Sequence, residues 1–446
     1  MAETFDLILK DGRVMTPGGE VKIDVAVRDQ KIAELGHFHD GQAERVLNLE
    51  GLNVLPGVID TQVHFREPGL THKEDLESGT RAAALGGVTA ICEMPNTKPS
   101  TLSAEDLQAK LDLAKGRAWT EHAFFMGAAE ENADQLGELE KLPGCAGVKI
   151  FMGSSTGSLL VEDDDTLLEV LRAGHRRVAI HCEDEARLRE RMALVRDGAP
   201  VAMHPVWRDE ETAYLATERL IKLARQAGRR VHVLHVTTAQ EVELLARHKD
   251  LVTCEVTPQH LTLAAPDCYA ELGSLAQMNP PIRDGKHREA LWRGLGQGVF
   301  DVLGSDHAPH TLEEKQGDYP RTPSGMPGVQ TLLPLMLDHV NAGRLTLQRL
   351  VDLTSAGPQR IYGLAGKGRI AKGYDADFTV VDMHAKRTIT GSWLASKCGW
   401  SPFEGREVLG WPKMTLVRGH LVMREDVLLG APLGQPLRYS ETLPHG

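Results

Sequence analysis

The middle of the chain alternates between short apolar runs and helical patterns, and this alternation constrains the fold more than any other feature. Helical patterns cover residues 73–86, 103–116, 163–174, 209–227 and 285–296. Continuous apolar strands that alternate with helices are typical of a parallel sheet, and eight of them predict an α/β fold of the (β/α)8 TIM-like barrel type. The eight runs are GVIDTQVH (57–64), VTAICEM (88–94), HAFFMG (122–127), AGVKIFM (146–152), RVAIHCE (177–183), RVHVLHV (230–236), DLVTCEV (250–256) and DVLGSDHA (301–308).

The two ends of the chain have a different texture. Short β-like segments punctuated by Gly and Asp fill residues 1–55, and a similar pattern returns in residues 366–446. We therefore predict one small β-sandwich built from both termini, with the barrel occupying residues 56–365.

Charge and composition exclude several classes of protein. There are 62 acidic and 50 basic residues, a net charge of −12, and no Lys/Arg-rich run, which argues against a nucleic-acid or anionic-membrane partner. No apolar stretch reaches the ~20 residues that span a bilayer, and the N-terminus lacks the pattern of a signal peptide. The six cysteines are scattered without a CxxC pair, which favours reduced thiols in a cytoplasmic protein.

Polar side chains stand where the candidate strands end, which is the catalytic end of such a barrel. One imidazole alone is more often structural, but three imidazoles, an amine and a carboxylate from five strands predict a single site. Gln62 stands two residues before the first imidazole, where period-2 geometry points both side chains the same way. The five residues are His64, Lys149, His181, His235 and Asp306.

Lys149 carries a specific chemical prediction. It lies within the apolar run AGVKIFM, where a charged amine is costly to bury. A neutral amine can react with carbon dioxide to form a carbamate, an anion able to bridge two divalent metals.

Four sequence motifs resemble those of a known family. The segments HFREPG (64–69), MPNT (94–97), MNPPIR (278–283) and SDHAPHTLEEK (305–315) are similar to those of the cyclic-amidohydrolase branch of the amidohydrolase superfamily, which includes dihydroorotases, hydantoinases and allantoinases. The similarity extends over the whole chain, and within the branch the motifs most resemble those of dihydroorotases.

The resemblance implies a zinc centre with one or two ions. By position, His64, carbamylated Lys149, His181, His235 and Asp306 correspond to its ligands, and Asp306 also to the general base. The departure is Gln62, where the family pattern has His; an amide oxygen is a poorer zinc ligand than imidazole. We therefore predict one firmly held zinc and a weaker or altered second site.

The substrate expected from the resemblance is dihydroorotate, formed reversibly from N-carbamoyl-L-aspartate in pyrimidine biosynthesis. Its carboxylate needs a cation, and Arg66 follows His64 by two residues. The resemblance adds Asn96 and His310 as carboxylate-binding residues and Asn279 as a contact of the ring amides. It also implies a homo-oligomer, dimer or tetramer.

Two loops and two alternative functions complete the predictions. Residues 154–157 (SSTG) are either a closing loop or a simple turn, and residues 305–328 are placed over the barrel mouth. One alternative is an allantoinase or hydantoinase, for which Arg66 is the discriminating residue. The other is a catalytically silent relative, for example a structural partner of a transcarbamoylase, because Gln62 replaces a ligand.

Overall fold

The computed structural model describes residues 4–155, 159–196 and 198–443. Seven strands come first: β1 (Phe5–Lys10), β2 (Arg13–Thr16), β3 (Gly19–Lys22), β4 (Asp24–Arg28), β5 (Lys31–Gly36), β6 (Ala43–Asn48) and β7 (Asn53–Pro56). The eight central strands follow: β8 (Val58–Val63), β9 (Val88–Glu93), β10 (Glu121–Gly127), β11 (Cys145–Phe151), β12 (Val178–His181), β13 (Val231–Val233), β14 (Val252–Val256) and β15 (Val302–Leu303). The last four are β16 (Phe378–Thr388), β17 (Glu407–Val417), β18 (His420–Arg424) and β19 (Val427–Leu428).

The central strands form one parallel sheet in sequential order from β8 to β15. A parallel bridge between Val63 and His307 joins its two edges, and the amide of His64 donates to the carbonyl of His307 over 2.7 Å. Every residue of these strands is buried, because the barrel interior covers one face and helices cover the other. The predicted barrel is confirmed.

The barrel helices begin at polar capping residues. Asp75, Ser103, Asp163 and Asp209 each accept a hydrogen bond from a backbone amide of the first helical turn, which satisfies a donor that the helix itself cannot. All five predicted helices form within a few residues of the expected bounds. Within the described ranges, seven helices have eight or more residues: Leu76–Leu85, Ala104–Ala114, Asp164–Arg172, Glu210–Ala227, Ala239–Ala246, Gly285–Gly296 and Leu332–Asn341.

Two further sheets are built from the ends of the chain. The first contains β5, β4, β1 and β6; the second runs β19-β18-β17-β16-β7-β2-β3 and therefore combines both termini. Strand β7 pairs with β16 in antiparallel register, with Pro56 opposite Phe378. Apolar side chains of both sheets, including Leu7, Val54 and Leu416, share one core. This confirms the predicted sandwich; its division from the barrel at residues 55 and 366 remains our proposal.

The long segment 305–328 is held in place by a buried lysine. The Lys315 ammonium donates to the carbonyl oxygens of Gln277, Pro323 and Gly325 over 2.9–3.0 Å. Burial lowers the pKa of Lys315 to about 7. Among the helices of the described residues, none has the length and apolar character needed to cross a membrane.

Candidate metal centre and active site

A polar cavity lies at the carboxyl ends of the barrel strands, with an empty volume of ≈ 360 Å³ including its open mouth. Eight of the nine predicted site residues line it, and Gln62 lines it as well. The eight are His64, Arg66, Asn96, Lys149, His181, His235, Asn279 and Asp306.

His181 and His235 face each other at the base of this cavity. The His181 Nδ1 and His235 Nε2 atoms are 3.0 Å apart, close to the ~3.3 Å expected of two nitrogens bound at ~2.0–2.1 Å to one tetrahedral zinc. Burial lowers the pKa of both imidazoles, so each is neutral near pH 7, the form that binds metals. The other nitrogen of His235, Nδ1, is buried without a hydrogen-bond partner in the described chain.

Glu183 fixes the tautomer of His181. Its Oε2 atom lies 2.9 Å from His181 Nε2, so Nε2 carries the proton and Nδ1 presents its lone pair to the cavity. Burial alone would raise the pKa of Glu183, but the Arg208 guanidinium, 2.6 Å away, and the His181 ring hold it well below its usual value.

His64 and Asp306 form a second pair across the cavity. His64 Nδ1 lies 2.8 Å from Asn96 Oδ1 and donates to it, which leaves the Nε2 lone pair facing Asp306 Oδ1 at 3.2 Å. A lone pair opposite a carboxylate oxygen is repulsive unless a cation lies near both. Gln62 Nε2 donates to the same Oδ1 over 3.1 Å, and Gln62 Oε1 has no partner in the described residues.

Lys149 is 1 % exposed and lacks a carboxylate partner within the described chain. Its amine donates to the carbonyl of Ile150 over 3.2 Å and lies 3.8 Å from the centre of the Phe151 ring. Burial lowers the pKa of Lys149 to about 7, so the neutral amine needed for carbamylation is populated near neutral pH. Neutral imidazoles, a carboxylate and this amine together fit a divalent cation.

Three of the site residues have strained backbones. Arg66, His235 and Asp306 have φ angles of +64°, +34° and +44°, in the left-handed region that L-residues seldom adopt. Such strain persists only where the surrounding structure imposes it, and it concentrates at functional sites.

The predicted substrate-binding residues occupy different depths. Arg66 is 1 % exposed and lines the cavity, donating from Nε to the Pro309 carbonyl over 3.1 Å. His310 is completely buried behind it, with Nε2 3.2 Å from Arg66 Nη2 and Nδ1 3.0 Å from Lys73 Nζ. Unlike the other predicted residues, His310 does not line the cavity. Asn279 does, and its Nδ2 donates to Ser155 Oγ over 3.3 Å.

Several lining residues were not predicted. Phe151, Ala308, Ser324 and Gly325 line the cavity, as does Ser155 from the predicted 154–157 loop. Thr156 and Gly157 of that loop lie outside the described residues. Three of these residues, Ala308, Ser324 and Gly325, belong to segment 305–328, which is consistent with the predicted position of that segment at the barrel mouth.

A cluster of three acidic residues lies elsewhere in the fold. Glu121, Asp375 and Asp377 offer oxygens within 4.8 Å of one another, as a metal site would. The Lys367 ammonium forms ion pairs with all three carboxylates, however, and these pairs raise its pKa above the usual value although burial opposes them. Lys31 also pairs with Asp375 and Arg418 with Glu121, so side-chain cations already balance this cluster.

Comparison with known proteins identifies the family of this fold. The Amidohydrolase family profile matches residues 53–422. The chain belongs to the amidohydrolase family. Its membership confirms the predicted enzyme class, a hydrolase that acts on cyclic amides.

Individual members of the amidohydrolase family match almost end to end. A dihydroorotase of Methanosarcina mazei is 35% identical over 442 residues, which cover 96% of each chain. An allantoinase of Escherichia coli O1:K1 is 34% identical over 451 residues, covering 96% of this chain and 97% of the relative. The L-hydantoinase (dihydropyrimidinase) from Arthrobacter aurescens superposes with a TM-score of 0.92 at 30% identity, covering 97% and 100% of the two chains.

Proposed function

We propose that this amidohydrolase is a dihydroorotase, which reversibly cyclises N-carbamoyl-L-aspartate to L-dihydroorotate in pyrimidine biosynthesis. The observation that carries the proposal is Arg66. Its guanidinium lines the catalytic cavity, is 1 % exposed and makes no ion pair with a carboxylate in the described residues. Burial lowers the pKa of Arg66 to about 10, so the folded protein bears the cost of an unpaired cation. The carboxylate of dihydroorotate would neutralise it.

We assign the metal to the residues already described. His181, His235, His64, Asp306 and carbamylated Lys149 would hold one or two zinc ions, with the site beside Gln62 the weaker. Bound zinc would lower the pKa of water and polarise the substrate carbonyl.

The side chains of the cavity would bind the substrate and transfer the proton. Arg66 would bind the substrate carboxylate as a bidentate fork, and Asn279 would orient the ring amide. Asn96 holds His64 in one tautomer through its 2.8 Å hydrogen bond. Asp306 would accept a proton from the attacking water at its carboxylate and deliver it to the ring nitrogen as the amide bond breaks. In the cyclising direction Asp306 would move the same proton in reverse as water leaves.

His310 has a supporting role in this proposal. It separates the Arg66 guanidinium from the Lys73 ammonium, with its two ring nitrogens 3.2 Å and 3.0 Å from them. Both neighbours and, above all, burial lower the pKa of His310 well below its usual value, so the ring stays neutral. The neutral ring accepts from Lys73 at Nδ1 and donates from Nε2 to the Ser324 carbonyl, 3.0 Å away, so it packs beside the Arg66 guanidinium without adding a charge. Homo-oligomerisation and a cytoplasmic location remain predictions.

A second candidate is an allantoinase or hydantoinase. The allantoinase relative is 34% identical, against 35% for the dihydroorotase, and the L-hydantoinase shares the fold at a TM-score of 0.92. Overall similarity therefore does not separate the substrates, whereas a buried unpaired guanidinium favours the anionic one. The catalytically silent structural partner is disfavoured. Backbone strain and buried ligand side chains are costly to stability, and a protein without catalysis or metal binding would gain nothing from them.

The test is a substrate panel on the zinc- and bicarbonate-treated enzyme. We expect turnover of dihydroorotate to exceed that of dihydrouracil, hydantoin and allantoin. Preference for a neutral ring would refute the dihydroorotase assignment. Absence of bound metal and of all four activities would instead favour the catalytically silent structural partner.

A further inference from the structure

A second cavity opens at the opposite end of the barrel from the catalytic one. Its empty volume is ≈ 630 Å³ including the mouth, and Ala146 near the start of β11 forms part of its wall. Arg176 and Arg177 immediately precede β12, and Arg230 precedes β13. The cavity is therefore at the amino ends of the strands, remote from the candidate metal centre.

Four arginines line this cavity, and two of them lack a neutralising partner. Arg177 and Arg230 form no ion pair with any described carboxylate. Arg360 pairs with Asp352 at 3.2 Å. Arg176 pairs with Glu441, which is the one acidic residue among the described residues of the wall.

The central arginine, Arg177, is fixed in place with unused donors. Its Nη1 donates to the carbonyl of Val231 over 3.1 Å, whereas its buried Nε has no hydrogen-bond partner in the described chain. Burial and the neighbouring Arg230 guanidinium lower the pKa of Arg177. Two like charges held side by side are repulsive without an anion between them.

Deeper groups in the wall are also unsatisfied. Arg176 and Tyr362 are each 8 % exposed. Arg176 Nη2 and the Tyr362 hydroxyl are buried without a hydrogen-bond partner among the described residues. Both atoms are enclosed by protein, so they contribute to the positive potential of the wall and not to direct contacts with a ligand.

We propose that this cavity binds a small multivalent oxyanion of the phosphate class, either free polyphosphate or the phosphate chain of a nucleotide. Guanidinium groups match phosphate oxygens in geometry and charge. A folded acidic protein surface would reach the exposed Arg230 and Arg360, but not the half-buried Arg177 inside the cavity. The site is independent of the proposed dihydroorotase activity.

The test is calorimetric titration of the full-length holoenzyme with tripolyphosphate and, separately, with ATP, at low and high salt. We expect saturable binding with a Kd below about 1 mM that weakens as salt screens the charges. Arg230→Gln should weaken tripolyphosphate binding by about tenfold, and Arg230→Glu should abolish binding at this cavity. Arg230 is exposed and unpaired, so neither change should alter folding or dihydroorotate turnover measured without the anion.

Arg387→Gln is the matched control, because Arg387 is an exposed residue of β16 that does not line the cavity. It should leave binding unchanged. Tighter binding of ATP than of tripolyphosphate would support the proposal and assign the anion to a nucleotide; equal or weaker binding of ATP would support it and assign free polyphosphate. No saturable binding of either probe, or isotherms that Arg230→Glu does not change, would overturn it. Tighter binding of a poly-glutamate peptide than of tripolyphosphate would overturn it in favour of an acidic protein partner.

Discussion

Replacing Arg66 by Gln should lower kcat/KM for dihydroorotate without lowering the free energy of unfolding. The buried guanidinium destabilises the free enzyme, and it gains a counter-charge only when the substrate carboxylate binds. We expect kcat/KM for dihydroorotate to fall by ~10²–10⁴. Two charge-assisted hydrogen bonds would be lost, at ~1.5–3 kcal/mol each, and every 1.4 kcal/mol is about tenfold. Hydrolysis of dihydrouracil, which carries no carboxylate, should not fall.

The free energy of unfolding should respond in the opposite sense or hardly at all. Burial lowers the pKa of Arg66 from 12.5 to about 10, which corresponds to about 3 kcal/mol at 1.36 kcal/mol per pKa unit. For a base with a lowered pKa, this penalty applies fully below about pH 10, and therefore at an assay pH of 8. Arg66→Gln removes it but also removes the hydrogen bond that Arg66 Nε donates to the Pro309 carbonyl, worth ~1 kcal/mol. The net change should lie between zero and a stabilisation of about 2 kcal/mol.

Arg208→Gln provides the matched control for stability. Arg208 is also buried, but it is paired with Glu183 at 2.6 Å. Its removal leaves a buried carboxylate without its partner, which should destabilise the fold by ~3–5 kcal/mol. Urea denaturation of the metal-loaded enzymes, with unchanged slopes, would compare the two variants.

Two results would refute the reasoning on Arg66. If Arg66→Gln destabilises the protein as much as Arg208→Gln does, the guanidinium is not an unpaired cation. If dihydroorotate turnover survives while dihydrouracil turnover falls, Arg66 does not bind the carboxylate.

Three further predictions concern the metal centre and the acidic cluster. Gln62→His should increase the amount of the second metal retained during dialysis, because imidazole is a better zinc ligand than an amide. The measurement is the ratio of metal to protein. Unchanged metal content and unchanged turnover would show that our account of this position is wrong. Reactivation of stripped enzyme by zinc should be about tenfold faster at pH 8 than at pH 6 at fixed dissolved carbon dioxide, because Lys149, with a pKa of about 7, is then mostly neutral. Lys149→Ala should not reactivate, and a pH-independent rate would argue against carbamylation. Lys367→Met should lower the free energy of unfolding by ~3–5 kcal/mol at pH 8, because it leaves the buried Asp377 carboxylate without an ion-pair partner among the described residues, while Asp375 and Glu121 keep their pairs with Lys31 and Arg418. A change below ~1 kcal/mol in urea denaturation would contradict that role.

The barrel could be predicted from sequence because its signals are local. Each strand is a continuous apolar run, and each predicted helix shows its own period and capping residue, such as Asp75 or Ser103. The helices at Ala239–Ala246 and Leu332–Asn341 were not predicted, because the first has only eight residues and Pro334 interrupts the apolar pattern of the second. Residues at the ends of neighbouring parallel strands must lie close together, which is why the candidate ligands could be predicted from the sequence.

Partners distant in the sequence could not be predicted in this way. No local pattern shows that Arg208 pairs with Glu183, that His310 lies buried behind Arg66, or that Lys367 pairs with Glu121 from 246 positions away. These contacts depend on how loops and sheets pack, and packing is a property of the whole chain.

The sequence by itself determined the architecture and the chemical types at the catalytic end, because alternation, capping and strand-end position act over a few residues. Only the tertiary structure decided which charges are paired and which are not. It leaves Arg66 without a counter-charge at one end of the barrel, and it gathers Arg176, Arg177, Arg230 and Arg360 at the other. The physical reason is that the free energy of a buried charge depends on its neighbours in space, and folding brings those neighbours from every part of the chain.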